Sequence, residues 1–286
     1  MDKPVYSLRM PVERSSCVVF SSPHSGADYP AAFLQRSSLS PLAIRSSEDA
    51  FVVELFAAAP AAGAPLLAAR VPRACLDLTR AADDLDPALI AGASRRYLNA
   101  RVAAGLGVIP RVVGEGRAIM RGKLTLAEAE RRIRDCWHPY HDRLRALLAE
   151  ARAAHGMAIL IDCHSMPHDA LNAAPSVWGR RPDIILGDRF GASCQRWLTD
   201  AAIELFSAQG FNVARNALFA GGYITQTYGR PAQGVQALQV EIDRALYMDE
   251  ARVERLPVFP DVARRIGEVA RGLAALGPGR LSVAAE

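Results

Sequence analysis

Met157-Ala-Ile-Leu-Ile-Asp162 is the strongest strand signal in the chain, and it runs straight into Cys163-His-Ser-Met-Pro167. The run is apolar without alternation. A strand of that kind is covered on both faces, as in the middle of a parallel sheet with helices above and below. Working outward, Thr125-Leu-Ala-Glu128 is a capping box, and it opens a long amphipathic stretch that reaches about residue 155, with Pro139 predicted to kink or break it. On the carboxyl side, Asp183-Ile-Ile-Leu-Gly187 is a second apolar run, followed by a predicted helix over 193–209. Strands are predicted at 211–214 and 237–242, and a last helix from 260 to about 276. On the amino side, Ser16-Cys-Val-Val-Phe20, residues 65–69 and Ala74-Cys-Leu-Asp-Leu78 read as strands. Ser46 or Ser47 is placed to cap a helix that carries Glu48 and Asp49 in its first turn and ends near residue 58.

Strands separated by helices of this length predict an α/β fold: three α/β/α layers around a mainly parallel sheet. No linker-like stretch divides the 286 residues, so a single domain over 1–286 is expected. Half of the residues are hydrophobic, which suffices for a large core. The net charge is +4 and the arginines are scattered, which gives no basis for expecting a nucleic-acid partner. Five cysteines, at 17, 75, 136, 163 and 194, lie in or beside apolar runs and form no CxxC pair, so reduced thiols are expected. The first residues lack the apolar stretch of a signal peptide, and no run approaches membrane-spanning length. A cytoplasmic location, away from membranes, is the expectation.

In an open α/β sheet, ligands bind beyond the carboxyl ends of the strands. The polar residues of interest sit there. His24 follows the first apolar run in Ser22-Pro-His-Ser-Gly26, and His164 follows the strand that ends at Asp162. Two imidazoles and a carboxylate, with one position left for water, make a hydrolytic divalent-metal site, zinc above all. Asp49 is the best third ligand by topology and Glu48 its direct competitor. Glu241 ends the run Gln236-Ala-Leu-Gln-Val240 and is placed to act as general base. His138 and His141, three apart on a predicted helix, form a rival pair, but Trp137, Pro139 and Tyr140 beside them favour a packed, hydrogen-bonded setting. His155 precedes Gly156 as a helix-terminal residue should, and His168 falls in a loop near His164. Arg80, three residues after Asp77 and placed to be held by it, is the foremost candidate for holding a substrate carboxylate, with Arg45, Arg111 and Arg189 behind it.

Taken together and in order, several stretches resemble the N-formylglutamate amidohydrolase family. They are Ser22-Pro-His-Ser-Gly26, Ser47-Glu-Asp49, Asp77-Leu-Thr-Arg80, Asp162-Cys-His-Ser-Met-Pro167, Gly187-Asp-Arg-Phe-Gly191, Gly221-Gly-Tyr223 and the segment from Gln239 to Glu250. The resemblance spans about residues 17–275. It implies a fold related to zinc carboxypeptidases, one divalent metal ion (zinc in the usual case) and hydrolysis of N-formyl-L-glutamate to formate and glutamate, a step of histidine degradation. By position it makes His24, Asp49 and His164 metal ligands, Glu241 the catalytic carboxylate and Arg80 a group for the carboxylates of a small N-acyl acidic amino acid. The chain departs from the family's usual residues at Val53, Thr79, Thr227, Gln236 and Asp243. Two other readings stay open: a deacylase of another N-acyl amino acid or short peptide, and a catalytically silent metabolite-binding relative.

Overall fold

The computed structural model describes residues 4–94, 99–177 and 179–277. Its centre is the predicted apolar strand. Ala158–Met166 is buried at all nine positions and lies in a seven-stranded sheet. The strands are β1 (Tyr6–Arg9), β2 (Val18–Ser22), β3 (Leu66–Ala69), β4 (Ala158–Met166), β5 (Ile184–Gly187), β6 (Val213–Arg215) and β7 (Val235–Asp243). Their order across the sheet is β1-β3-β2-β4-β7-β5-β6. Four pairings are parallel, with β1–β3 and β7–β5 antiparallel, so the sheet is mainly parallel.

Alternation along the strands separates two cores. Ile159 and Ile161 of β4 and Leu238 and Val240 of β7 point to one face. They pack there on Leu198 and Ala202 of α3 (Arg196–Ala208) and on Ile266 and Leu273 of α5 (Phe259–Ala274). Val19, Leu160 and Ala237 point to the other face, against Tyr140, Leu144, Leu147 and Ala151 of α2 (His138–His155). Each of the isoleucine, leucine and valine side chains among them stabilises the fold by about 1.5–3 kcal/mol relative to an exposed position. The result is the expected three-layer α/β/α arrangement. Among the described residues no helix is long and apolar enough to cross a membrane.

The Thr125 capping box is present: the hydroxyl accepts from Glu128 N–H, and the Glu128 carboxylate accepts from Thr125 N–H. It starts α1 (Leu126–Arg132), which passes through a π-helical turn, Ile133–Trp137, before α2 begins with Pro139 in its first turn. The ring thus falls where the backbone pattern has already changed. Two expectations are corrected. Residues 74–78 form no strand, because Cys75 and Leu76 donate their N–H groups back to Pro72 O and close a turn. The helix expected over 48–58 is reduced to Val52–Leu55. Asp49 donates its N–H to His24 O, and Phe51 adopts a left-handed φ of 66°, so the helix cannot extend through Asp49.

Candidate metal centre

The two histidines arrive from different directions. β2 ends at Ser22 and the next turn carries His24. Gly26 lets that turn lie against the chain after β3, since a Cβ there would stand 2.0 Å from Val71 O. His164 belongs to β4 itself, two residues beyond Asp162 on the same face. Their rings meet edge to face with centroids 4.8 Å apart. Asp49, freed from helical pairing, points its Oδ2 between them, 3.0 Å from His164 Nδ1 and 3.4 Å from His24 Nδ1.

All three side chains are buried, and one donor atom from each lies within 4.8 Å of the others. Donors bonded at about 2.0–2.2 Å around a tetrahedral cation stand about 3.3 Å apart, so the two distances to Asp49 fit zinc chemistry. The far side of each ring fits as well. His24 Nε2 lies 2.8 Å from Asp77 Oδ1, and His164 Nε2 lies 3.1 Å from Asp162 Oδ2. A carboxylate behind each imidazole fixes its tautomer and orientation as a ligand. Thr79 adds to the first pair, its hydroxyl 2.6 Å from Asp77 Oδ1 and 3.2 Å from His24 Nε2. Arg244 donates from Nη2 to Asp49 Oδ1 (3.0 Å), Ser165 donates to the same oxygen (3.2 Å), and Oδ2 is left facing the imidazoles.

Electrostatics follow from burial and pairing. Burial alone raises the Asp49 pKa, but the hydrogen bonds and charges of His164 and His24 outweigh it and hold the group well below the usual carboxylate range. At Asp77, burial is overcome by Arg73, His24 and Arg80 in the same way. Burial would lower the His164 pKa, yet Asp162, Asp49 and Glu241 push it well above its ordinary value. Glu241 moves in the opposite sense to its acidic neighbours. Burial, joined by the charges of Asp49 and Asp162 against those of His164 and Arg73, pushes it up to about 7. In the β4–β7 register Glu241 sits directly beside His164.

His24, Asp49, Asp77, His164 and Glu241 line one cavity of about 610 Å³. Its walls include Glu241, Gln239, the segment from Leu218 to Gly222, and four arginines: Arg73, Arg80, Arg101 and Arg244. Of the arginines expected from sequence, Arg80 is in the wall. Its Nε donates to Leu106 O and its Nη1 to Thr79 O, which fixes the guanidinium. Arg45, Arg111 and Arg189 are not in the lining. Arg45 pairs with Glu48 at 3.0 Å and Arg111 with Asp86 at 2.8 Å. The Glu48 carboxylate is therefore engaged by Arg45, while Asp49 enters the cluster. Arg73 and Arg101 escape sequence reasoning because neither follows a strand. Arg73 donates from Nε to Asp77 Oδ2 (3.1 Å) and is a quarter exposed, toward the cavity.

The rival histidine pair is split. His138 is exposed, whereas His141 is fully buried, with Nε2 donating to Leu78 O (2.9 Å) and Nδ1 accepting from Tyr228 OH (2.7 Å). Burial pushes its pKa down to about 4. His168 meets Asp243 at 2.8 Å and holds the loop after β4 to the end of β7. Gln236 accepts from Gln195 N–H ahead of α3. Val53 packs against the core on the α5 side of the sheet.

The sequence profile of N-formylglutamate amidohydrolase matches residues 16–248. The chain belongs to the N-formylglutamate amidohydrolase family. Membership makes it a hydrolase of an amide C–N bond. An N-formylglutamate deformylase of Pseudomonas aeruginosa is 35% identical over 208 residues, 71% of each chain. One from Pseudomonas putida is 32% identical over 206 residues, again 71% of each. The crystal structure of N-formylglutamate amidohydrolase from Ralstonia eutropha JMP134 superposes with a TM-score of 0.89 at 34% identity, covering 95% of this chain and 98% of that one. An Agrobacterium tumefaciens gene product shares the fold at a TM-score of 0.62 and 18% identity. The amidohydrolase match covers β2 through β7 and so contains the whole His24, Asp49, His164 and Glu241 constellation.

Proposed function

We propose that the protein hydrolyses N-formyl-L-glutamate to formate and L-glutamate with one divalent cation, zinc by its donor set, held by His24, Asp49 and His164. The observation that carries this reading is the cluster of three buried donors, two of them imidazoles backed by carboxylates, in a cavity that also contains Glu241 and four arginines. A cation bound there supplies Lewis acidity, making water acidic near neutral pH and polarising the formyl carbonyl. Glu241 takes a proton from the attacking water and returns it to the leaving amine of glutamate. Its burial raises its affinity for a proton, which suits a carboxylate that must take one up and hand it on. Arg73, fixed by Asp77, faces the charge that develops on the formyl oxygen. Arg80 and Arg101 receive the two carboxylates of the substrate.

The test couples elemental analysis of the purified protein to a formate-release assay on N-formyl-L-glutamate. One zinc per chain and steady formate release are expected. Glu241→Gln should keep the metal and lose turnover by about 10²–10⁴-fold, the usual contribution of a positioned acid–base group. Unchanged turnover would remove Glu241 from this role. A metal-free protein that added zinc does not activate would overturn the reading as a whole.

A further inference from the structure

Among the described residues, none of the arginines pairs with Glu241, and its hydrogen-bond partner is Gln239, two residues back on the same face of β7, whose Nε2 lies 2.8 Å from Glu241 Oε1. The amide orientation is settled by its other end. Gln239 Oε1 accepts from Gly222 N–H at 2.9 Å, and a backbone N–H can only donate, so the amide oxygen must face Gly222 and the NH₂ must face Glu241. Gln239 itself is 6% exposed.

Gly222 is brought to this point by two other glycines. β5 lies beside β7 with Gly187 opposite Gln239. A Cβ on Gly187 would stand 2.6 Å from Gly221 N, so the segment ahead of α4 (Tyr223–Tyr228) settles on the sheet only because residue 187 has no side chain. Gly221 adopts a φ of +115°, and a Cβ there would meet Thr225 Oγ1 at 2.7 Å. The segment so placed, Leu218–Gly222, forms part of the cavity wall.

We infer that Gln239 is a positioning residue for the reaction: it fixes the Glu241 carboxylate through Oε1, leaves Oε2 for the water, and ties that alignment to the seating of the Leu218–Gly222 wall. This rests on the hydrolytic reading above for its kinetic consequence, but the alignment itself is a statement about this chain alone. A carboxylate with one oxygen fixed by an N–H donor presents the other in a single direction. Without that donor the group rotates, and proton transfer loses its geometry while the arginine wall and the three metal donors stay as they are.

Two variants separate the two ends of the amide. Gln239→Leu removes both contacts. Gln239→Glu keeps an acceptor for Gly222 N–H but turns an oxygen rather than an NH₂ toward Glu241. Both should bind zinc stoichiometrically, keep KM within about twofold and lose kcat by about 10–100-fold. Gly187→Ala, which forces the wall off the sheet while both side chains keep their identity, should lower kcat in the same way. Crystal structures of the zinc-loaded Gln239 variants should show the Glu241 carboxylate rotated from its wild-type orientation. An unrotated carboxylate in both variants, or a kcat within about twofold of wild type in both, would overturn the inference. Absence of formate release from the wild type would instead count against the proposed reaction, and the crystallographic result would still decide the role of Gln239.

Discussion

The His24–His164 pair and His141 are all buried, yet their surroundings assign them opposite roles. At the strand tips, each imidazole has a carboxylate behind Nε2 and turns Nδ1 toward a third acid, Asp49. His141 has a backbone carbonyl on one nitrogen and a tyrosine hydroxyl on the other, with the rings of Trp137 and Tyr228 against its faces. Acidic neighbours raise the proton affinity of His164, while burial lowers that of His141. Burial therefore says little about what a histidine does. A carboxylate on the outer nitrogen and an acid facing the inner one suit the proposed ligand role, whereas saturation by neutral partners suits a structural one.

The sharpest way to break this comparison is to truncate both kinds. His164→Ala, or His24→Ala, should abolish stoichiometric zinc binding and lower formate release by more than about 10³-fold. His141→Ala should leave the metal in place. Equal metal loss from His141→Ala would erase the distinction. Asp162→Asn sharpens it one step out: the ring keeps a partner but loses the charge behind it, and zinc affinity measured by chelator competition should fall about 10–100-fold.

His141 carries a stability signature instead. In the unfolded chain it takes up a proton near pH 6.5, while in the folded chain it resists protonation down to about pH 4. The unfolded state thus binds more protons between those values, so the contribution of His141 is complete above pH 6.5 and is lost as pH falls toward 4. It amounts to on the order of 3 kcal/mol. Urea unfolding across that range should show the loss, and His141→Phe should remove this part of the pH dependence at a cost of about 1–3 kcal/mol near neutrality. The smallest effect belongs to His138, which is exposed and touches Trp137 only at the ring edge. His138→Ala should change stability by less than about 0.5 kcal/mol and leave turnover unaltered.

The fold was legible wherever one local pattern decided the outcome. The unbroken apolar run before His164 could only be a covered strand, and Thr125 with Glu128 announced a helix start. The strand-tip histidines and Glu241 stood out in the sequence for the same reason, being polar residues placed where apolar runs stop, and the structure brings them into one cavity. Residues 74–78 were misread because their composition favours a strand while Pro72 closes a turn under them. Asp77 was expected to hold Arg80. It approaches Arg80 only at 3.9 Å and instead braces His24, 53 positions earlier, at 2.8 Å. Arg73 and Arg101 carried no sequence signal, and Gln239 opens a stretch that resembles the family without its role being marked, since each acquires its place from contacts that the topology makes and no spacing encodes.

Pairing between β4 and β7 sets His164 and Glu241 side by side as neighbours on one pleat. A slip by one residue in either strand would turn its member of the pair to the opposite face of the sheet. Their separation is thus a property of the backbone ladder, independent of any loop. Mild heat or denaturant can fray the cavity rim without parting them, and the two will be lost together, at the point where the central sheet itself comes apart.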